Sequence, residues 1–204
     1  MYITMNPNLS NIASCFCLKG EVQSIIPYGE GLINDTYKLI TGSFSPDYIL
    51  QRINNAIFRD VDMLQENISK VTSHIRSKLE AAGEKDLDRK VLRFIPAKSG
   101  KMYHKEDGKY WRVMVFIDGA ITYQAVTPEY SYYAGLAFGD FESKLADMNE
   151  SLGEIIPDFH NIEFRLKQLD DACAADPKRR VSKVQDILDE IQKREIFMTL
   201  SERL

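Results

Sequence analysis

The chain has 204 residues, 44% of them hydrophobic and 27% charged, which suffices for one core or two small lobes. A formal net charge of −4 and a pI near 5.5 argue against a nucleic-acid partner, and the tight basic run Lys178-Arg179-Arg180 reads as a solvated helix start. No apolar run could span a bilayer and no leader opens the chain, so no membrane partner and a cytoplasmic location are expected.

Residues 22–28 and 33–40 are β-prone arms on either side of Gly29-Glu30-Gly31, the pattern of a hairpin. A third strand is expected at 47–53, "DYILQRI", after a Gly-Ser-Phe-Ser-Pro turn. Val61, Leu64, Ile68, Val71, Ile75 and Leu79 then recur at spacings of 3, 4, 3, 4 and 4, predicting an amphipathic helix over 60–81. Asp60 is its expected N-cap and Gly83 lies near its end. Three further strands are read in 91–118: "VLRFIPA", "KMYHKE" and "KYWRVMVFID", the last two joined through Asp107-Gly108. Trp111 to Ile117 is apolar on both faces apart from Arg112, which suits a buried strand.

From Thr127, an N-cap followed by Pro128 and Glu129, the pattern is helical. Ile156-Pro157-Asp158 breaks it, and helices are expected at 161–174 and 178–200, with residues 127 onward helical throughout. The fold class is therefore α+β, with five or six antiparallel strands and one helix first and helices afterwards. Domains are expected at 1–118 (sheet lobe) and 127–204 (helical lobe), with 119–126 as connector.

A glycine turn between strands one and two, a basic residue on strand three, a helix and a connector to a helical lobe form the layout of a protein-kinase-like small lobe. Bare glycine amides can lie on a triphosphate, and a strand cation can meet its oxygens. A helix carboxylate can steady that cation, and connector backbone groups can read the adenine edge. The segments "GLINDTYKL", "YILQRINNAIFRDVDMLQENI" and "IPDFHN" resemble the aminoglycoside phosphotransferase/choline kinase superfamily, nearest to its N-acetylhexosamine 1-kinase branch. The resemblance runs over essentially the whole chain and is most specific over 28–68. It implies ATP- and Mg2+-dependent phosphorylation of a small sugar, at the anomeric hydroxyl of an N-acetylhexosamine.

By that resemblance Gly29 and Gly31 form the phosphate-covering turn, with Asn34 and Thr36 as donors; a plain hairpin is the alternative. The strand-three lysine of the superfamily is replaced by Gln51-Arg52. Adjacent strand residues face opposite ways, so one of the two meets the phosphates; Arg52 is expected, because a fixed cation suits a triphosphate better than an amide. Glu66 takes the place of the helix carboxylate, although helical phase sets it about 200° from Leu64, while Gln65 flanks the apolar stripe. Phe116, Ile117, Asp118 and Gly119 supply the adenine connector through their main chain.

His160 is expected to cap or pack the following helix, and His74 and His104 read as surface residues. The three cysteines, Cys15, Cys17 and Cys173, are too few and ill-spaced for structural zinc, so reduced thiols and no metal site are expected. No His-x-Asp-x-x-x-x-Asn loop occurs, and Gly139-Asp140-Phe141 falls inside an expected helix, so no catalytic residue is assigned. The chain thus reads as the first part of a kinase, inactive alone, with the catalytic aspartate expected beyond Leu204 and self-association through an unfinished helical lobe. The alternative is a non-catalytic interaction module built on the same lobe.

Overall fold

A computed structural model describes residues 7–29, 31–42, 44–123 and 125–198. Six strands form one antiparallel sheet: β1 (Val22–Pro27), β2 (Asp35–Thr41), β3 (Tyr48–Ile53), β4 (Phe94–Ile95), β5 (His104–Glu106) and β6 (Lys109–Val115). Their order is β1-β2-β3-β6-β4, with β5 also on β6. The α+β reading and the strand count stand. Asp107 and Gly108 both take positive φ, 48° and 73°, which gives the tight β5–β6 hairpin the twist its strands need. The fourth and fifth strands are shorter than expected, since 91–97 and 101–106 contribute two and three residues.

Side-chain alternation divides the sheet into two unlike faces. On one, Leu39, Tyr48, Leu50, Trp111, Val113 and Val115 pack under α1 (Pro7–Ser14), a helix absent from the sequence reading. Leu39, Leu50 and Val113 have no exposed surface. Buried side chains of this kind contribute about 1.5–3 kcal/mol each. Tyr48 is 1% exposed, and its hydroxyl accepts the Lys19 N–H at 2.9 Å, so its polar end is satisfied.

The opposite face meets α2 (Val61–Ala81), whose Asp60 side chain accepts from the Met63 N–H as the expected N-cap. Ile53, Val61 and Tyr103 form a small core there, and Ile75, Leu79 and Val91 a second one beside the short α3 (Leu87–Lys90). Helix α4 (Pro128–Leu145) is capped by Thr127 and contains Gly139-Asp140-Phe141, as expected. His74 is half-buried rather than a surface residue: its Nε2 lies 3.1 Å from both the Lys144 carbonyl and Asp147, tying α2 to the end of α4. His104 is likewise half-buried, edge-on to Phe16 at 6.4 Å. Asn67 exchanges two hydrogen bonds with Gly153, at 2.7 and 3.0 Å, and a Cβ on Gly153 would run into the Met63 side chain.

Residues 1–155 form one compact unit and 156–204 a second; the expected connector 119–126 lies within the first. The second unit holds α5 (Ile162–Ala175), a 3-10 turn at Val181–Lys183 and α6 (Gln185–Met198). Residues 146–161 lie outside any helix, correcting the expectation of continuous helix after 127. Asn161, not His160, caps α5 by accepting the Phe164 N–H; His160 is exposed against the Phe159 ring. Asp176 accepts the Arg180 and Val181 N–H groups, so Lys178-Arg179-Arg180 forms a turn and α6 starts at Gln185 rather than near 178. Cys15, Cys17 and Cys173 are free thiols. Among the described residues no helix is long and apolar enough to cross a membrane.

Candidate nucleotide site

The β1–β2 hairpin closes through the Tyr28 N–H to the Thr36 carbonyl at 2.9 Å. Gly29 has φ 75°, a left-handed conformation that a glycine adopts without strain, and a Cβ there would meet nothing within 4 Å. The backbone is therefore bare at Gly29; Glu30 lies outside the described residues. Gly31 follows, with Leu32 fully exposed beyond it. Asn34 Oδ1 accepts the Asn54 N–H at 2.9 Å, fixing the hairpin base to the end of β3.

Register decides which side chains share a face. Thr36 pairs with Gln51, and Gln51 with Arg112. These three lie on the α2 face, beside Ile53 and Tyr110, and are chained by hydrogen bonds. Gln51 Nε2 donates to Thr36 Oγ1 at 3.0 Å, while Gln51 Oε1 accepts from Arg112 Nε and Nη2 at 3.0 and 2.6 Å. Arg52 is turned to the other face, next to Asp35 and Trp111, and pairs with Asp35 in a bridge whose side chains are 42% and 50% exposed. Strand parity thus sets Gln51, rather than Arg52, toward α2.

Glu66 is not brought to the strand-three position either. Its side chain is 64% exposed and bonds Lys70 one turn on at 2.8 Å, as the helical phase implied. Gln65, its neighbour on α2, is turned inward instead: it is 4% exposed, and both of its amide atoms lack partners among the described residues. The cation-to-carboxylate pair of the kinase-like layout is therefore not formed by Arg52 and Glu66.

At the other end of the same face lies the connector. The Phe116 N–H donates to the Asp47 carbonyl at 2.9 Å. The Phe116 ring takes the edge of Tyr28 at 5.5 Å and the Lys38 ammonium at 3.8 Å from its centroid. Lys38 also pairs with Asp47 at 3.0 Å. Burial pushes the Asp47 carboxyl up, but the Thr41 N–H and the Lys38 ammonium outweigh it and hold the group below the usual carboxylate range. Ile117 is half-buried, and the Asp118 carbonyl accepts from Arg89 Nη1. Hairpin and connector are thus brought together, through Tyr28 and Phe116, while Arg52 and Glu66 stay outside the group.

No protein-family model matches the chain. Among solved structures, the chain is similar to a spectinomycin phosphotransferase, APH(9)-Ia, crystallised with ADP and spectinomycin. The likeness covers 97% of this chain with a TM-score of 0.50 and 12% sequence identity. The fold is kinase-like. That fold explains why the hairpin, the helix-facing sheet surface and the connector are gathered on one side. The match covers 58% of the phosphotransferase, so the chain spans less than two thirds of that protein's length.

Lys38 and Arg112 are the site side chains to which the sequence reading gave no role, whereas Gln51 was weighed there against Arg52 and Gln65 was placed beside the apolar stripe. Arg112 had a visible signal, as the lone charge in an otherwise apolar strand from Trp111 to Ile117. Gln65 had a weaker one in its phase beside the apolar stripe. Lys38 had none, because its importance depends on Phe116, 78 positions away in sequence, reaching the same sheet face.

Proposed function

We propose that the chain is the nucleotide-binding part of an ATP-dependent phosphotransferase acting on a small hydroxyl-bearing molecule. The observation that carries this reading is the meeting of the glycine hairpin and the connector, Tyr28 on Phe116, at one end of the α2-facing surface. On this reading residues 1–118 form the nucleotide lobe, 119–126 the connector, and 127–204 the first part of a helical lobe. Gly29 and Gly31 would cover the phosphates, and Phe116 to Gly119 would receive the base, whose flat face the Phe116 ring suits. ATP supplies the transferable phosphoryl group when bound. The resemblance to the N-acetylhexosamine 1-kinase branch makes an N-acetylhexosamine the substrate we favour. A spectinomycin-like aminocyclitol is the class that the solved neighbour suggests.

The described residues fit a nucleotide better than a metal. Among them no group of three or more His, Cys, Asp or Glu gathers to hold a cation. With no such group among the described residues, ADP and ATP should bind more weakly than micromolar. Calorimetry with each nucleotide, with and without magnesium, tests this. Tight, magnesium-dependent binding would show that metal ligands are present, and no binding at millimolar nucleotide would overturn the proposal. Transfer to N-acetylglucosamine, N-acetylgalactosamine, choline and spectinomycin, assayed in parallel, separates the superfamily from the branch.

A further inference from the structure

Between α2, the β4–β6 side of the sheet and α4 lies a cavity of about 480 Å³, whose wall includes Ile68, Phe94, Met114 and Phe141 as well as Asn67, Thr72 and Lys90. Arg112 also forms part of its wall. A buried charge is costly unless it is paired. Among the described residues Arg112 has no such pair, only the Phe94 ring, whose centroid lies 5.6 Å from its guanidinium carbon. Its Nε and Nη2 both go to the neutral Gln51 amide, and its Nη1 is shut off from water without an acceptor among the described residues. Burial pulls its pKa down to about 10, so it stays cationic at neutral pH while the fold bears the cost of an uncompensated charge.

We infer that Arg112 is the cation that meets the phosphate groups of a nucleotide in this chain, and that Gln51 is the positioning residue holding it. This rests on the nucleotide reading above and adds a cation beside Gln51, since Lys38 on the same face is taken up by Asp47. Gln51 stands on β3 where the layout calls for a cation, and it supplies one indirectly by gripping the arginine of the next strand. The link onward to Thr36 ties that grip to the base of the glycine hairpin.

The test is calorimetric titration of the whole chain and its Arg112→Met, Arg112→Lys, Gln51→Leu and Arg52→Ala variants with ADP and, separately, inorganic pyrophosphate. Thermal melting of each variant checks that it folds. Arg112→Met should weaken both ligands by roughly tenfold or more, the scale of a charged hydrogen bond. Arg112→Lys should fall between, because an ammonium cannot hold Gln51 and a phosphate with the same forked geometry. Gln51→Leu should weaken binding while leaving the charge in place. Without ligand, Arg112→Met should melt no lower than the parent, since it removes a buried charge; a residue serving structure alone would show a clear drop. If Arg112→Met does not fold, the Lys and Gln51 variants carry the same comparison. Equal ADP affinity in parent and Arg112 variants would overturn the inference and leave the nucleotide reading standing. A greater loss from Arg52→Ala than from the Arg112 variants would overturn it too, as would failure of both ligands to bind the parent. Arg112-dependent binding of pyrophosphate with no binding of ADP would overturn the inference together with the nucleotide reading.

Discussion

Leu50 and Arg52 sit two positions apart on β3 and face the same side of the sheet, yet their surroundings predict opposite sensitivities. Leu50 has no exposed surface and belongs to the α1-covered core, so Leu50→Ala should cost about 2–5 kcal/mol in urea unfolding. Arg52→Ala removes a half-exposed ion pair and should cost less than about 1 kcal/mol. Asp47 offers a pH handle. Its carboxyl is lowered in the folded state, so its contribution is present above the unfolded value of about 3.9 and is lost as pH falls through the folded one. Melting temperature followed below about pH 4 should therefore fall less steeply in Asp47→Asn than in the parent. At this scale the sequence was informative about phase and silent about sign. Helical phase set Glu66 outward and Gln65 inward, and the structure agrees. Strand alternation said that Gln51 and Arg52 face opposite ways, but which of them meets α2 depends on pairing with Thr36 and Arg112, a long-range fact.

Among elements, the strands and helices with strong local signals were legible: the hairpin arms, β3, α2 with its Asp60 cap and α4 with its Thr127 cap. Helix α1 was missed although Leu9, Ile12, Ala13 and Phe16 recur at helical spacing. Eight residues are too few for periodicity to declare itself, and such a helix owes its stability to the sheet it covers. That dependence runs both ways. Ile12 is 2% exposed, and Ile12→Ala should lower unfolding free energy by about 2–5 kcal/mol and speed exchange of the α1 amides. A loss below about 0.5 kcal/mol would mean that α1 is not part of the core. The late start of α6 has an equally local cause, since Asp176 binds the N–H groups of Arg180 and Val181 and holds them in a turn. Helix propensity alone does not reveal a side chain that competes for backbone donors.

At the scale of the molecule, the order of elements carried the kinase-like reading, because a hairpin, a third strand, a helix and a connector can be recognised without knowing any contact. The arginine proposed to meet the phosphates could not be read that way. It comes from β6, out of the expected place, and is tied to β3 through an amide. The central claim is that nucleotide binds where the hairpin meets the connector. Amide hydrogen exchange with and without saturating ADP tests it most directly. Exchange should slow at residues 28–36 and 116–119, with α1 and α5 unchanged; slowing confined to α1 or the second unit, with none at the hairpin or connector, would contradict it.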